Sequence, residues 1–244
     1  QGVPYANLDA LMTFLNDAGL ETGGTGSKVR PVVSCKGTTC QYGLIDTFQL
    51  SQKLHDLFYI GYHDVVLPHK FKLAVGGCPN NCVKPNLNDL GIVGQRIPEI
   101  NMAKCRGCQV CQIEKTCPIG AAKLIDGKLQ IDADLCNHCG RCVSKCPFKA
   151  IEESTYGYKV TIGGRWGKKV AEGKPLSRIF TSEEEVLALV ERAILFYRDE
   201  GITGERFADT IARLGFDYVE DKLLNGSIDK DSILKKTVVG GAKC

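Results

Sequence analysis

No stretch of the 244 residues approaches 18 consecutive apolar side chains, whereas a bilayer-spanning helix needs about 20. The first residues lack the basic-then-apolar order of a secretory signal. A basic block is also missing. The 31 Lys and Arg residues are interspersed with 28 Asp and Glu to a formal charge of +3, and no basic helix or aromatic-basic stripe offers a nucleic-acid footprint. No Gly-x-Gly-x-x-Gly follows a predicted strand, which argues against direct oxidation of NADH or NADPH. These absences leave a soluble chain as the expectation. Its length and 43% apolar content suffice for one or two ordinary domains.

Cysteine is abundant instead. Thirteen stand in the chain, and the sharpest set runs Cys105, Cys108, Cys111, Cys117-Pro118 and then Cys136, Cys139, Cys142, Cys146-Pro147. Cys-x2-Cys-x2-Cys winds the backbone around a cubane so that three thiolates reach it, and in two-cluster ferredoxins the fourth comes from the other repeat. The spacing therefore assigns Cys105, Cys108, Cys111 and Cys146 to one 4Fe-4S cluster, and Cys136, Cys139, Cys142 and Cys117 to a second. Pro118-Ile119-Gly120-Ala121 answers Pro147-Phe148-Lys149-Ala150, which marks an internal duplication with a period of 31 residues. The first repeat has five residues before Cys117 where three are usual, so its loop is longer. Zinc binding would leave half the thiols idle, and a disulfide framework suits a short secreted chain better. Thiolate ligation implies a reducing, anaerobic cytoplasm. Each oxidised cluster with its four thiolates carries about −2, so three would outweigh the formal +3.

Residues 29–34, 71–76 and 89–94 read as short buried strands bounded by Gly or Pro. Between the first two, a helix begins near Asp46 or Thr47 with Phe48, Leu54, Leu57 and Phe58 as its apolar face. Tyr158 to Ile162 alternates as a strand, and Ser182 with Glu185 forms a capping box that opens a helix. Val186, Leu189, Val190, Ala193 and Ile194 make that helix's stripe and Gly201 ends it; another helix spans about Gly204 to Leu214. Both flanks alternate strand and helix while the middle does not. The expected class is α+β, one α/β domain (residues 1–97 and 156–224) interrupted by a ferredoxin-like insertion (98–155). A polar tail follows (225–244), ending in the unliganded Cys244. Near the start, Leu8, Leu11, Leu15 and Ala18 mark a helix stopped by Gly19, and since the chain opens on Gln1 a longer N-terminus is expected.

A third set is Cys35-x4-Cys40 and Cys78-x3-Cys82, one pair on each side of the first helix. Four thiolates on two loops can close around a third cubane, although two cysteine pairs also arise by chance in a cysteine-rich chain. Arg30-Pro-Val-Val-Ser-Cys35, then Leu67-Pro-His-Lys70-Phe-Lys72, then Gly76-Gly77-Cys78-x3-Cys82 resembles the sirohaem and 4Fe-4S domain of sulfite and nitrite reductases. Gly163-Gly164-Arg165-Trp166-Gly167 and the capped helix after it resemble that family's ending. The likeness covers residues 4 to 222, with the ferredoxin inserted as in the dissimilatory and small anaerobic sulfite reductases. Many members have five residues between the first two cysteines and this chain has four, so the loop turns more tightly, aided by Gly37.

The resemblance implies three 4Fe-4S clusters and one sirohaem, with Cys82 shared between the third cluster and the haem iron. Reduction of sulfite to sulfide takes six electrons and consumes protons, so the site must hold a dianion near cationic donors. Lys70 and Lys72 alternate on a predicted strand and point to one face. The family match makes them anion-binding and proton-donating, with Arg30 as the guanidinium partner; on the residues alone a solvated pair beside a surface Arg is the favoured reading. Asn80, Asn81, Lys84 and Arg165 are candidate binders of the macrocycle's carboxylates. Gly23-Gly24-Thr25-Gly26 is a candidate wrap for its edge, and His69 a proton relay. Cysteine and lysine sets occur in one copy, which implies a homodimer, or a heterodimer with a paralogous half, pairing Cys82 of one chain with Lys70 and Lys72 of the other. Nitrite reduction to ammonium, and a non-catalytic electron-transfer subunit, stand as alternatives. The external donor is expected to be a ferredoxin or a flavoprotein subunit. The family's further substrate-binding Arg would lie before the residues seen here.

Overall fold

The structure, a computed structural model, describes residues 2–20, 22 and 24–227. Cys244, Gly23 and nearly all of the expected tail lie outside the described residues. Strands β1 (Val33–Ser34), β2 (Leu73–Gly76) and β3 (Leu90–Pro98) run parallel, and β6 (Ser154–Ile162) and β7 (Lys174–Phe180) continue antiparallel. They form a five-stranded mixed sheet in the order β1-β2-β3-β6-β7, which organises most of the chain.

The first two strands are shorter than the sequence predicts, and each has a local cause. Pro31 has no N–H to give a ladder, so between residues 29 and 34 only Val33 and Ser34 pair with β2, and Val29 forms an isolated bridge to Phe71. The Lys72 N–H turns away to Asp89 Oδ2 at 2.9 Å, which delays the start of β2. β3 outruns its predicted end and pairs with β6 over nine positions, from Leu90↔Ile162 to Pro98↔Ser154.

Helix α1 (Leu8–Asp17) forms as predicted and ends before Gly19, which takes a φ of +71°; none of its residues is buried. Helix α2 (Thr47–Leu54) is capped by Asp46, which accepts from the Gln49 N–H at 2.9 Å, and continues as a wider π-helical turn over His55–Ile60. Its buried stripe is Thr47, Leu50, Leu54 and Phe58, so the prediction of Phe48 and Leu57 as core-facing is corrected: both lie about half exposed. Phe48 sits one position off the stripe, and Leu57 falls beside it where the helix widens.

Helix α4 (Glu183–Glu200) buries the predicted stripe completely, with Val186, Leu189, Val190, Ala193 and Ile194 at 0% exposure. Ser182 caps it through the Glu185 N–H (3.2 Å), whereas the Glu185 carboxylate reaches the Thr181 N–H, one residue earlier than a capping box requires. Helix α5 (Phe207–Leu214) begins three residues later than expected, and α6 (Phe216–Asn225), which the sequence reading does not contain, seals the core with Val219 and Leu223. Asn225 therefore closes a helix rather than opening a tail.

Residues 99–153 occupy the place of a hairpin loop between β3 and β6. They contain α3 (Gln112–Thr116) and a two-stranded sheet of β4 (Ala122–Ile125) and β5 (Lys128–Ile131), joined through Asp126-Gly127. Their own core is built from Cys105, Ile113, Ala122, Leu129, Val143, Ala150 and Ile151. Because Pro98 and Ser154 already face each other across the ladder, replacing 99–153 by Asn-Gly should leave a chain that melts cooperatively. Circular dichroism with thermal melting checks this, and loss of the transition would show that the main sheet depends on the segment.

Candidate functional site

Cys35 follows the end of β1 and Cys78 follows β2 by one residue, so one end of the parallel strands carries both cysteine loops. Two glycines let those loops touch. A Cβ on Gly77 would stand 2.8 Å from the Gly37 Cα, and one on Gly37 would stand 2.6 Å from Thr47 Cγ2. The Thr47 hydroxyl donates to the Cys35 carbonyl at 2.8 Å, and the Gly77 N–H donates to Cys35 Sγ at 3.1 Å. The structure brings all four predicted residues together: burial raises the Cys78 thiol, and Cys82, Cys35 and Cys40 raise it further by charge repulsion. Among the described cysteines Cys82 alone is exposed.

The other thiols also fall into a set. Burial pushes Cys142 up to about 11, and Cys136, Cys139 and Cys117 add like-charge repulsion; Cys136 rises for the same reasons. Cys117 belongs to the first repeat in sequence and sits with the second in space. Burial acts to raise it, yet N–H groups of Ala122, Ile119, Ala121 and Gly120 together leave it lowered. Cys105 is lowered by the N–H of Gly107, against burial, with help from Leu129. Cys105 belongs to the buried core of the same segment, Cys111 and Cys146 pack half-buried against it, and Cys108 is half-buried too. Among the described residues no three His, Cys, Asp or Glu side chains converge tightly enough for a single metal ion. Four thiolates per set are the donor complement that a 4Fe-4S cubane takes.

Strand β3 joins the two regions. Gly94 lies against the Gly77 carbonyl, where a Cβ would come within 2.6 Å. Two residues on, Arg96 donates its N–H to the His138 carbonyl at 2.8 Å and bridges to Cys139. A cleft of about 450 Å³ opens here, lined among others by Cys78, Asn80, Arg96, Cys139 and Tyr156.

The cations occupy the other end of the strands. Arg30 precedes β1, its N–H bonded to the Phe71 carbonyl at 2.8 Å and its Nη1 to the Gly24 carbonyl at 2.7 Å. Lys70 and Lys72 lie half-buried on either side of the fully buried Phe71, just before β2 begins. Burial lowers the Lys70 ammonium, and Arg206, Lys72 and Arg30 lower it further. His69 accepts the Lys70 N–H on Nδ1 at 2.7 Å, and burial with the charges of Arg206, Lys70 and Arg30 holds it below the ordinary imidazole range. Lys72 and Cys78 lie on opposite sides of β2, whose four residues span roughly 13 Å at about 3.3 Å per residue.

Asn81, with φ at +56°, donates to Asn86 Oδ1 at 2.7 Å, and Asn86 donates to Glu172 at 2.6 Å. Asn80 and Lys84 are exposed on the same loop. Arg165 is held by Asp209 at 2.7 Å, and Gly164 before it packs on the Asn86 carbonyl, where a Cβ would come within 2.2 Å. Arg206 and Asp89 were missed by sequence reasoning, since no local motif marks either.

Residues 25–226 match the model of the nitrite and sulphite reductase 4Fe-4S domain. The chain belongs to that family. It is 32% identical over 218 residues to the coenzyme F420-dependent sulfite reductase of Methanocaldococcus jannaschii, covering 88% of this chain and 34% of the relative. It is 29% identical over 217 residues to one of the subunits of the anaerobic sulfite reductase of Salmonella typhimurium, covering 81% and 62%. A crystal structure of dissimilatory sulfite reductase I superposes with a TM-score of 0.65 at 21% identity, over 98% of this chain and 61% of that one, which bears on the fold alone. The chain thus spans between about a third and two thirds of these proteins. No helix among the described residues is long and apolar enough to cross a membrane.

If contact between the two loops sets the thiolate geometry, Gly77→Ala should cost roughly 1–3 kcal/mol through overpacking. Thermal melts and iron content should both fall. A variant with unchanged iron and melting temperature would show that the crossing has slack.

Proposed function

We propose that the chain is the sirohaem and cluster-binding part of a sulfite reductase that takes sulfite to sulfide in six electrons. The exposed Cys82, within a set whose other members are partly covered, carries this reading, because an axial ligand must present its sulfur outward. Cys35, Cys40, Cys78 and Cys82 would hold one 4Fe-4S cluster, and Asn80, Asn81, Lys84 and Arg165 would receive the macrocycle's carboxylates. When bound, the coupled haem and cluster supply single electrons and an open coordination position for the substrate's sulfur.

The protein's own part is electrostatic. Arg30, Lys70 and Lys72 would hold the oxyanion, and each ammonium can pass a proton to a departing oxygen. The depressed Lys70 pKa supports donation, since a weaker grip on the proton favours its release to an oxyanion. Electrons would arrive from an external ferredoxin or flavoprotein subunit, through two clusters in residues 99–153. The bridge from Arg96 to Cys139 supports the Cys117, Cys136, Cys139 and Cys142 set as the nearer relay. The separation of Lys72 from Cys78 by the length of β2 supports a dimer, with itself or a paralogue, in which Cys82 of one chain faces Lys70 and Lys72 of the partner.

Nitrite is the second substrate class, because the nitrite reductase large subunit of Klebsiella oxytoca is 36% identical over 94 residues. Relative turnover of the two anions decides between them.

Anaerobically purified protein should contain about 13 iron and 12 acid-labile sulfide per chain and show chlorin-type absorption. About 8 of each without macrocycle bands would make it an electron carrier. Lys70→Ala with Lys72→Ala should lower sulfite turnover at least 100-fold while dithionite still bleaches the clusters, and surviving turnover would remove both lysines from the site.

A further inference from the structure

The cation-bearing end of the sheet contains a carboxylate that no motif accounts for. Asp89, one residue before β3, is 0% exposed. Its Oδ2 accepts the Lys72 N–H at 2.9 Å and Arg206 Nη2 at 2.7 Å, while Oδ1 has no hydrogen-bond partner. Arg206 precedes α5, and that turn is fastened to the lysine segment a second time by the Gly204 N–H on the Pro68 carbonyl at 3.0 Å.

Six buried side-chain polar atoms among the described residues lack a partner, and three lie in this patch: Arg206 Nε, Arg30 Nε and Asp89 Oδ1. Two of these are guanidinium N–H donors, each of which lacks an acceptor, and a buried donor without one is costly. An oxyanion is the acceptor that both would fit. Four cations also repel one another, so something must hold them in one place. A buried carboxylate gripping the backbone of one and the guanidinium of another does so.

We infer that Arg206 is a fourth cation of the oxyanion site, and that Asp89 is the positioning residue that sets it beside the Lys70 to Lys72 segment. This rests on Arg30, Lys70 and Lys72 being anion ligands. Arg206 offers a planar fork matched to two oxygens of one anion.

The test uses the loaded holoprotein, with inorganic phosphate as a redox-inert probe in calorimetry, sulfite kinetics, and melting temperature on the same samples. Arg206→Gln should weaken phosphate binding about tenfold or more, the weight of one charge-assisted hydrogen bond, and should raise KM for sulfite more than it lowers kcat. Arg206→Lys should recover part of that affinity. Asp89→Asn should lower the melting temperature, and the double variant Asp89→Asn, Arg206→Gln should regain stability without regaining phosphate affinity. Wild-type phosphate affinity in Arg206→Gln, or recovery of affinity along with stability in the double variant, would overturn the inference and make the pair a structural one. The combined Lys70→Ala and Lys72→Ala variant separates the two layers. If it loses phosphate binding while Arg206→Gln keeps it, only this inference fails; if neither loses it, the anion-site reading fails too.

Discussion

Strand β3 is the central strand of the five, hydrogen-bonded in parallel to β2 and in antiparallel to β6. Each chemically interesting feature touches it. Asp89 stands one residue before it and holds Lys72 and Arg206. Gly94, in the middle, accepts the approach of the Gly77 carbonyl and so seats the Cys78 loop. Arg96, near its end, bridges to Cys139 and docks residues 99–153. Cation patch, first thiolate set and second thiolate set are spaced along one strand, and a shift of its register would move all three together.

The thiolate sets work against folding until something positive shares them. Burial and mutual repulsion push Cys78, Cys136 and Cys142 up, which favours the neutral thiol and weakens it as a ligand. Opposing this are backbone N–H groups aimed at sulfur, four of them at Cys117. Donors of that kind stabilise negative charge on sulfur whether it comes from ionisation or from a cluster. Assembly of iron and sulfide in these loops would therefore be coupled to their folding, as in other small metal-dependent cores.

Much of this was legible in the chain, and the misses share a physical origin. A 3.6-residue stripe such as Val186 to Ile194 is a local pattern, and it reads correctly because the energetics that fix it are local too. Asp126-Gly127 and the Val219 and Leu223 pair are local signals of the same kind, for the hairpin β4–β5 and for α6, and a closer reading of the chain would find both. Strand β7 hides behind Pro175, which an edge strand tolerates because its outer N–H positions need no partner. The widening of α2 after Leu54, and hence the outward turn of Leu57, has no marker in composition. Arg206 and Asp89 lie 117 residues apart, and only the folded sheet makes them neighbours.

The placement of charge follows from what the two ends must do. On the proposed function, a 4Fe-4S core with four thiolates would carry about −2, and an oxyanion brought up to its own chain's cysteine loops would meet repulsion that Arg30, Lys70 and Lys72, at the other strand ends, do not offset. Placing Arg30, Lys70, Lys72 and Arg206 at the far end of β1 and β2 keeps them from pairing with the thiolates and would leave their field for a bound anion. It also leaves them incomplete by themselves. Two such surfaces opposed across a two-fold axis would restore both halves, each anionic cofactor facing a cationic patch of the other chain. The complementarity that pulls the surfaces together is then the same one that holds a dianion between them.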